Sequence, residues 1–131
     1  MNIRITYLYR DASNYKRWED VVVVNPSGLP AVTVRGLLAE ACRCWELFGD
    51  QIHFMPELVG LKTCYFTDAG YAASDDDLEL HEVHEVTETE APTTDPRTIE
   101  TLIKALRDVG GVASARTAGY TAGATSVPKD R

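Results

Sequence analysis

Residues 2–24 read NIRITYLYRDASNYKRWEDVVVV, and this stretch decides the fold. Side chains suited to a core occupy every second position of its first part, at Ile3, Ile5, Tyr7 and Tyr9. A period of two is typical of a strand with one buried face. The Asp, Ser and Asn of the following RDASNY segment favour a turn, and the four valines at 21–24 predict a second strand covered on both faces. We therefore predict a β-hairpin inside a larger sheet.

The hydrophobic period changes to that of a helix after Thr33. Apolar residues follow at i, i+3 and i+4 spacing, at Val34, Leu37, Leu38, Ala41, Trp45 and Phe48. This spacing predicts an amphipathic helix that packs on the sheet and ends near Gly49. Pro56 interrupts the apolar stretch 51–60, which predicts a loop or a short helical turn. The segment LKTCYFT, residues 61–67, predicts a third strand.

The stretch LELHEVHEV, residues 78–86, alternates well enough to predict a fourth strand, with charged side chains on both faces. Such charges are typical of a strand at the edge of a sheet. Asp95 followed by Pro96 predicts the start of a second helix that ends near Gly110. The apolar stripe of this helix consists of Ile99, Leu102, Ile103 and Leu106.

The predicted fold class is α+β, with the order β-β-α-β-β-α. It is a two-layer sandwich of a largely antiparallel four-stranded sheet with two helices on one face. A length of 131 residues indicates one domain. We assign residues 1–111 to this domain, and we expect residues 112–131, rich in Ala, Thr, Gly and Ser, to form a disordered, flexible tail. The start MNIRITYLYR has no apolar signal-peptide region, so we expect a cytoplasmic protein without a membrane span.

The negative charge of the chain is concentrated in one tract. The formal net charge is -7, and residues 75–95, here called the acidic tract, hold nine acidic side chains and no Lys or Arg. A polyphosphate partner rewards clustered Lys and Arg, so this charge argues against direct binding of nucleic acid or an anionic membrane. The acidic tract would instead speed the encounter with a basic protein surface, unless it serves solubility alone.

The sequence carries no recognisable catalytic motif. The three cysteines are an odd number, and Cys42 and Cys44 point to different sides of a helix, so we expect reduced thiols in or near the core. There is no G-x-S-x-G elbow, and the pair Gly110-Gly111 follows a helix, whereas a phosphate-binding glycine loop must precede one. We therefore predict no enzymatic activity and no cofactor.

His81 and His84 raise the question of a metal site. A zincin motif needs two histidines four apart on a helix, but here they are three apart, and on a strand they would point to opposite faces. We expect solvated histidines among carboxylates, while a metal-dependent hydrolase built on them and the aspartates stays an alternative. The cluster of Asp75, Asp76 and Asp77 has oxygen ligands for a hard cation but lacks the glycine of a calcium loop. We expect a charged loop there, and a weak surface cation site stays open.

The segment YLYRDASNYK, residues 7–16, followed by VVVVNPSG, resembles the opening of a group of small uncharacterised bacterial proteins. The shared block is Y-x-Y-R-D-A-x-N-Y-K, and LHEVHE resembles a later H-E pair of the same group. The resemblance covers residues 1–30 and extends loosely beyond them. It implies a compact fold and carries no function.

Our main hypothesis is a non-enzymatic interaction module that presents an acidic surface to a basic protein partner, as an inhibitor, immunity-like protein or adaptor would. The predicted partner-binding residues are Asp75, Asp76, Asp77, Glu79, Glu82 and Glu85. The alternative is a small-ligand or nucleotide-binding domain, because aromatic bodies beside cations can stack on a base. Its predicted residues are Tyr7, Tyr9, Arg10, Asn14, Tyr15 and Lys16. The oligomeric state does not follow from the sequence.

Overall fold

The computed structural model describes residues 1–45, 51–72 and 79–110. Its strands and helices are β1 (Asn2–Arg10), β2 (Lys16–Val23), α1 (Ala31–Ala41), β3 (Ile52–Phe54), β4 (His81–Thr89) and α2 (99–110). The predicted α+β class and the order β-β-α-β-β-α are confirmed, with one antiparallel sheet in the order β2-β1-β4-β3. The predicted helix end at Gly49 and the expected tail of residues 112–131 lie outside the described residues.

The N-terminal hairpin forms as the alternation predicts. Ile5 lies opposite Val21 across the two strands. In the connecting loop, the carboxylate of Asp11 accepts the backbone N–H groups of Ser13 and Tyr15. Asn14 has a φ of 70°, in the left-handed region that Asn tolerates better than most side chains. The loop is therefore ordered by its own side chains.

The core lies on one face of the sheet, here called the inner face. It combines side chains from alternate positions of β1 with both helices: Ile3, Ile5, Tyr7, Tyr9, Val34, Leu38, Ile99, Leu102, Ile103 and Leu106. Both helices therefore pack on the inner face, as predicted. The opposite side, the outer face, carries the other half of the alternation, including Leu8 and Trp18. No helix of the described ranges is long and apolar enough to cross a membrane.

The third strand lies at Ile52–Phe54, and not at residues 61–67. We expected a loop or a short helical turn over residues 51–60, and a short 3₁₀ helix does follow the strand, at Pro56–Val59. The strand prediction was wrong because the apolar pattern of 61–67 reflects burial of Leu61 and Cys64 in the core and not sheet pairing. Side chains from the sheet form hydrogen bonds with the backbone of this segment. The Tyr7 hydroxyl donates to the Lys62 carbonyl at 2.5 Å.

Strand β4 is not an edge strand, because it lies between β1 and β3. Its pairing with β1 contains a β-bulge: Tyr7 faces Val83 and Thr6 faces Glu85, so His84 is the extra residue. The bulge shifts the alternation by one position. His81 and Val83 face inward before it, and Val86 packs against the core after it. Without the bulge, regular alternation along β4 would place Val86 on the face opposite to His81.

Helix α2 begins later than Asp95, the predicted N-cap. The hydroxyl of Thr98 accepts the backbone N–H of Thr101 at 3.1 Å and so caps the first turn. The Asp95 carboxylate binds the guanidinium of Arg97 at 2.8 Å. The backbone carbonyl of Val24 accepts the N–H of Ile99, and this bond connects the start of the helix to the end of β2.

Replacing Thr98 with Ala should lower the free energy of unfolding by about 1 kcal/mol, the usual loss for an N-cap hydroxyl. Thr98→Ser keeps the hydroxyl and should be close to wild type. Urea unfolding of the three proteins measures the difference. Equal stability of wild type and Thr98→Ala would show that the capping assignment is wrong.

Candidate functional site

His81, the first residue of β4, lies inside the protein. It is fully buried and paired with Tyr9 on one side and Phe54 on the other. Four aromatic rings surround it, those of Tyr7, Tyr9, Phe54 and Tyr65, with centroids 4.7–6.3 Å from the imidazole. The expectation of a solvated histidine at this position is wrong, because the strand turns this side chain toward the core.

The buried imidazole of His81 holds the 61–65 segment against the sheet. Its Nε2 atom accepts the backbone N–H of Cys64 at 3.1 Å, so that nitrogen carries no proton. Burial lowers the pKa of His81 to about 4, an effect that the carboxylate of Asp68 partly opposes. The ring is therefore neutral near pH 7, and its proton lies on Nδ1. Within the described residues Nδ1 has no hydrogen-bond acceptor.

The geometry does not bring His81 and His84 to one ion. His81 is turned into the core, whereas His84, the bulge residue, is exposed. Within the described ranges there is no group of three His, Cys, Asp or Glu side chains that could hold a metal. The predicted aspartate cluster at 75–77 lies outside those ranges.

The cysteines are free thiols. Burial raises the pKa of Cys42 to about 12 and that of Cys64 to about 11, so both stay protonated and unreactive at neutral pH. Cys44 is exposed, which corrects the expectation that it lies in or near the core.

The outer face of the sheet carries an exposed aromatic side chain on the edge strand β2. Trp18 lies opposite the buried Leu8 and is 49% exposed. Its ring contacts that of His84 edge-on, with centroids 4.8 Å apart. In the adjacent row, Thr6 lies between Asp20 on β2 and Glu85 on β4. We call the outer-face set Trp18, Asp20, His84 and Glu85 the tryptophan face.

A shallow cleft of about 280 Å³ opens beside Trp18, and its other lining residues are Thr6, Glu19 and Asp20. The Asp20 carboxylate lies 3.2 Å from the guanidinium of Arg4, and both side chains are partly exposed. Solvent-exposed ion pairs of this kind are weak and exchange easily for other partners. The cleft therefore offers an aromatic wall and carboxylate groups.

Three of the predicted partner-binding residues, Glu79, Glu82 and Glu85, lie in the described part of the chain. Glu79 and Glu85 are exposed, whereas Asp75, Asp76 and Asp77 lie outside the described residues. Glu82 is held by Arg10 through two hydrogen bonds of 2.8 and 3.1 Å. The hydrogen bond from Arg10 lowers the pKa of Glu82, so this carboxylate stays ionised and is already paired.

Sequence reasoning missed Trp18 and Asp20 as members of the site. Both lie on the outer face because the hairpin register puts them opposite Leu8 and Thr6. The alternation of β2 contains this signal: Trp18 and Asp20 lie three and one positions before the inward-facing Val21, so both fall on the opposite face. The approach of Glu85 to the same row depends on the bulge, which the sequence pattern does not reveal.

The predicted ligand-binding residues are divided between the two faces. Tyr7 and Tyr9 are buried on the inner face. The guanidinium of Arg10 lies on the outer side, bound to Glu82 and to the side-chain oxygen of Asn14. The remaining two also differ in position: Lys16 donates to the Asn14 carbonyl at 3.4 Å, and Tyr15 is exposed on the loop.

The burial of His81 predicts a loss of stability in mild acid. Between its ordinary pKa of 6.5 and its folded value of about 4, the unfolded chain binds a proton that the folded chain does not. The free energy of unfolding should therefore fall by about 2 kcal/mol from pH 7 to pH 5 and stay level above pH 7.

Urea unfolding across this pH range tests the assignment with two variants. His81→Gln cannot titrate and keeps an oxygen acceptor, so its stability should change less over the range. His84→Gln removes the exposed histidine of the same strand and should keep the wild-type pH dependence. If His84→Gln rather than His81→Gln flattens the curve, the buried histidine is not the titrating group.

No protein-family model matches the sequence, and no curated protein or solved structure is detectably similar to it. The resemblance of residues 7–16 to small bacterial proteins stays a prediction from the sequence. The geometry and charges of the tryptophan face are what support a function for this chain.

Proposed function

We propose that this protein is a non-enzymatic interaction module that docks a basic protein partner on its tryptophan face. The observation that supports this most directly is the position of Trp18, half-exposed on the face of the sheet opposite to α1 and α2, in the row next to Asp20 and Glu85. The proposal keeps the acidic surface expected from the sequence. It places the centre of that surface at Trp18 and keeps Glu85 of the acidic tract as one of its carboxylates.

An exposed tryptophan on the face of a sheet is suited to anchoring a partner. Trp is among the residues that contribute most to protein interfaces, because its large ring removes much apolar surface from water when covered. Here the ring already rests on His84, which limits its freedom before binding. Less conformational entropy is then lost when a partner covers it.

The carboxylates in the row next to Trp18, those of Asp20 and Glu85, favour a partner rich in Lys and Arg. The cations of the same face already have contacts: Arg4 with Asp20, Arg10 with Glu82, and Lys16 with Asn14. A cation can stack on the indole face while its N–H groups donate to neighbouring carboxylates. Glu85 forms no ion pair within the described residues, and Asp20 is held only by the partly exposed Arg4. A basic side chain could therefore reach one carboxylate directly and the other by replacing Arg4.

The charge of the whole chain adds to this local preference. A net charge of -7 attracts a basic surface over several ångströms and repels nucleic acid and anionic membranes. A nucleic-acid-binding protein or a toxin with a basic site is the kind of partner that fits, with this protein occluding the basic surface. Attraction of this kind raises the association rate and weakens as salt is added.

The proposal is tested with immobilised Arg/Lys-rich peptides and sequence-matched peptides in which Gln replaces each basic residue. Trp18→Ala should weaken binding to the basic peptides by about 30-fold, the loss typical of an interface anchor. The double change Asp20→Asn with Glu85→Gln should slow association several-fold and reduce its salt dependence. Surface plasmon resonance over a series of salt concentrations measures both effects.

The matched control is Glu90→Gln with Glu100→Gln, which removes the same charge from exposed positions outside the tryptophan face. It should bind the basic peptides within about twofold of wild type, because distant exposed charges are screened. Equal losses in both double variants would mean that net charge alone drives binding. Equal binding of the basic and Gln peptides would refute the proposal.

A further inference from the structure

A second cleft lies at the end of the sheet where the β1–β2 hairpin turns. It has a volume of about 410 Å³, and its lining residues are Asp11, Tyr15, Phe66, Tyr71 and Ala72. None of them belongs to the tryptophan face. A volume of this size suits a small molecule.

One wall of the cleft is built by a short 3₁₀ helix, Phe66–Ala69, and the turn that ends it. Gly70 has a φ of 93°, a left-handed conformation that glycine adopts without steric cost. This turn lets the N–H of Tyr71 bond to the carbonyl of Phe66 at 3.2 Å. The two rings then meet edge-on, with centroids 5.7 Å apart.

This aromatic wall is anchored in the core. The ring of Phe66 packs against that of the buried Tyr9, with ring centroids 6.2 Å apart. The carboxylate of Asp68 accepts the N–H of Tyr65 and the hydroxyl of Thr63, both at 2.8 Å, which fixes the start of the 3₁₀ helix. Tyr71 is therefore held in place although it is 64% exposed.

The opposite wall is the hairpin loop. The Oδ1 atom of Asp11 accepts the N–H groups of Ser13 at 3.0 Å and Tyr15 at 2.9 Å, and the Asp11 N–H donates to the Tyr15 carbonyl. These bonds hold the Asp11 carboxylate and the ring of Tyr15 at the cleft. Tyr15 is 68% exposed, so its ring is accessible to a ligand.

The lining has the chemistry of a cation site. Among the described residues that line it are three aromatic rings and one carboxylate, and no Lys, Arg or His. The cations that a phosphate ligand would need lie elsewhere: Arg10 is bound to Glu82, Lys16 donates to Asn14, and Arg17 donates to the Tyr65 carbonyl. A nucleotide therefore fits this cleft poorly, whereas a positive charge is attracted by the ring faces and by Asp11.

We propose that this cleft binds a small quaternary ammonium compound. Aromatic rings attract a methylated ammonium group through their negative faces. Such a group has no N–H, so it loses no hydrogen bonds with water when the rings cover it. A primary ammonium has three N–H donors, so it would lose more hydration than a methylated ammonium when the rings cover it.

The test is a titration of the ¹⁵N-labelled full chain with choline, beside 3,3-dimethyl-1-butanol, which has the same shape without the charge. Choline should cause saturable shifts of the Tyr15 and Tyr71 amide signals, and the neutral alcohol should bind at least several-fold more weakly. Equal binding of the two compounds, or no saturable shift with choline, would overturn the proposal.

Three variants separate the cleft from the rest of the surface. Asp11→Asn keeps the acceptor oxygen of the loop and removes the charge, and it should weaken choline binding by up to about 5-fold. Tyr71→Ala should weaken it by about 2- to 5-fold, the range for an exposed cation–π contact, whereas Tyr71→Phe keeps the ring and should bind like wild type.

Trp18→Ala is the control on the other surface, and it should bind choline as the wild type does. Loss of choline binding in this variant would place the ligand on the tryptophan face and overturn the proposal. Because the two surfaces share no residue, either the cleft or the docking proposal can fail without the other.

Discussion

The hydrogen bond from the Cys64 backbone N–H to the buried imidazole of His81 is the interaction on which the other features depend. It joins the sheet to a segment, residues 61–65, that has no strand partner in the described structure. The same imidazole packs against the ring of Tyr65, with ring centroids 4.7 Å apart. The bond requires the neutral imidazole, and burial keeps it neutral. The neutral form of the His81 ring is therefore required for the contact between the sheet and residues 61–65.

Both proposed sites rest on this arrangement from opposite sides. Tyr9 packs on His81 and on Phe66, so the aromatic wall of the cleft continues from the buried cluster. On the same strand as His81, the bulge at His84 turns that ring outward onto Trp18 and brings Glu85 into the row of Thr6. One strand thus supplies the core histidine of the inner face and part of the tryptophan face.

Much of the fold follows from local sequence patterns. The alternation of Ile3, Ile5, Tyr7 and Tyr9 predicts β1 correctly because one face of the strand meets the core along its whole length. The helical spacing of Val34 and Leu38, and of Ile99, Leu102 and Leu106, predicts the two helices for the same reason. In each case the apolar residues are regularly spaced because one face of the strand or helix is buried along its whole length.

The predictions were wrong where a segment is buried without pairing in the sheet, or where its hydrogen bonds go to distant parts of the chain. Residues 61–67 read like a strand, but the backbone groups of Lys62, Cys64 and Tyr65 bond to side chains, those of Tyr7, His81 and Arg17 respectively. A bulge of one residue leaves no mark on composition, so the outward position of Glu85 could not be read from the pattern. Likewise, the pairing of Glu82 with Arg10 spans distant parts of the chain, and it removes one carboxylate from the expected acidic surface.

The site itself was only partly predictable. Glu85 and Tyr15 stand out in the sequence as acidic and aromatic residues of unusual segments, and both are exposed. Trp18, Tyr71 and Asp11 gain their proposed roles from contacts across the fold, through the hairpin register, the turn at Gly70 and the loop bonds of Asp11. Such contacts are set by tertiary structure and not by neighbouring residues.

The most direct test of the account is the protonation state of the His81 ring, measured by ¹⁵N NMR of the two imidazole nitrogens from pH 7 to pH 5. The structure predicts a neutral ring throughout this range, with an unprotonated Nε2 and the proton on Nδ1. A ring that takes up its second proton near pH 6.5, or one that carries its proton on Nε2, would contradict the account.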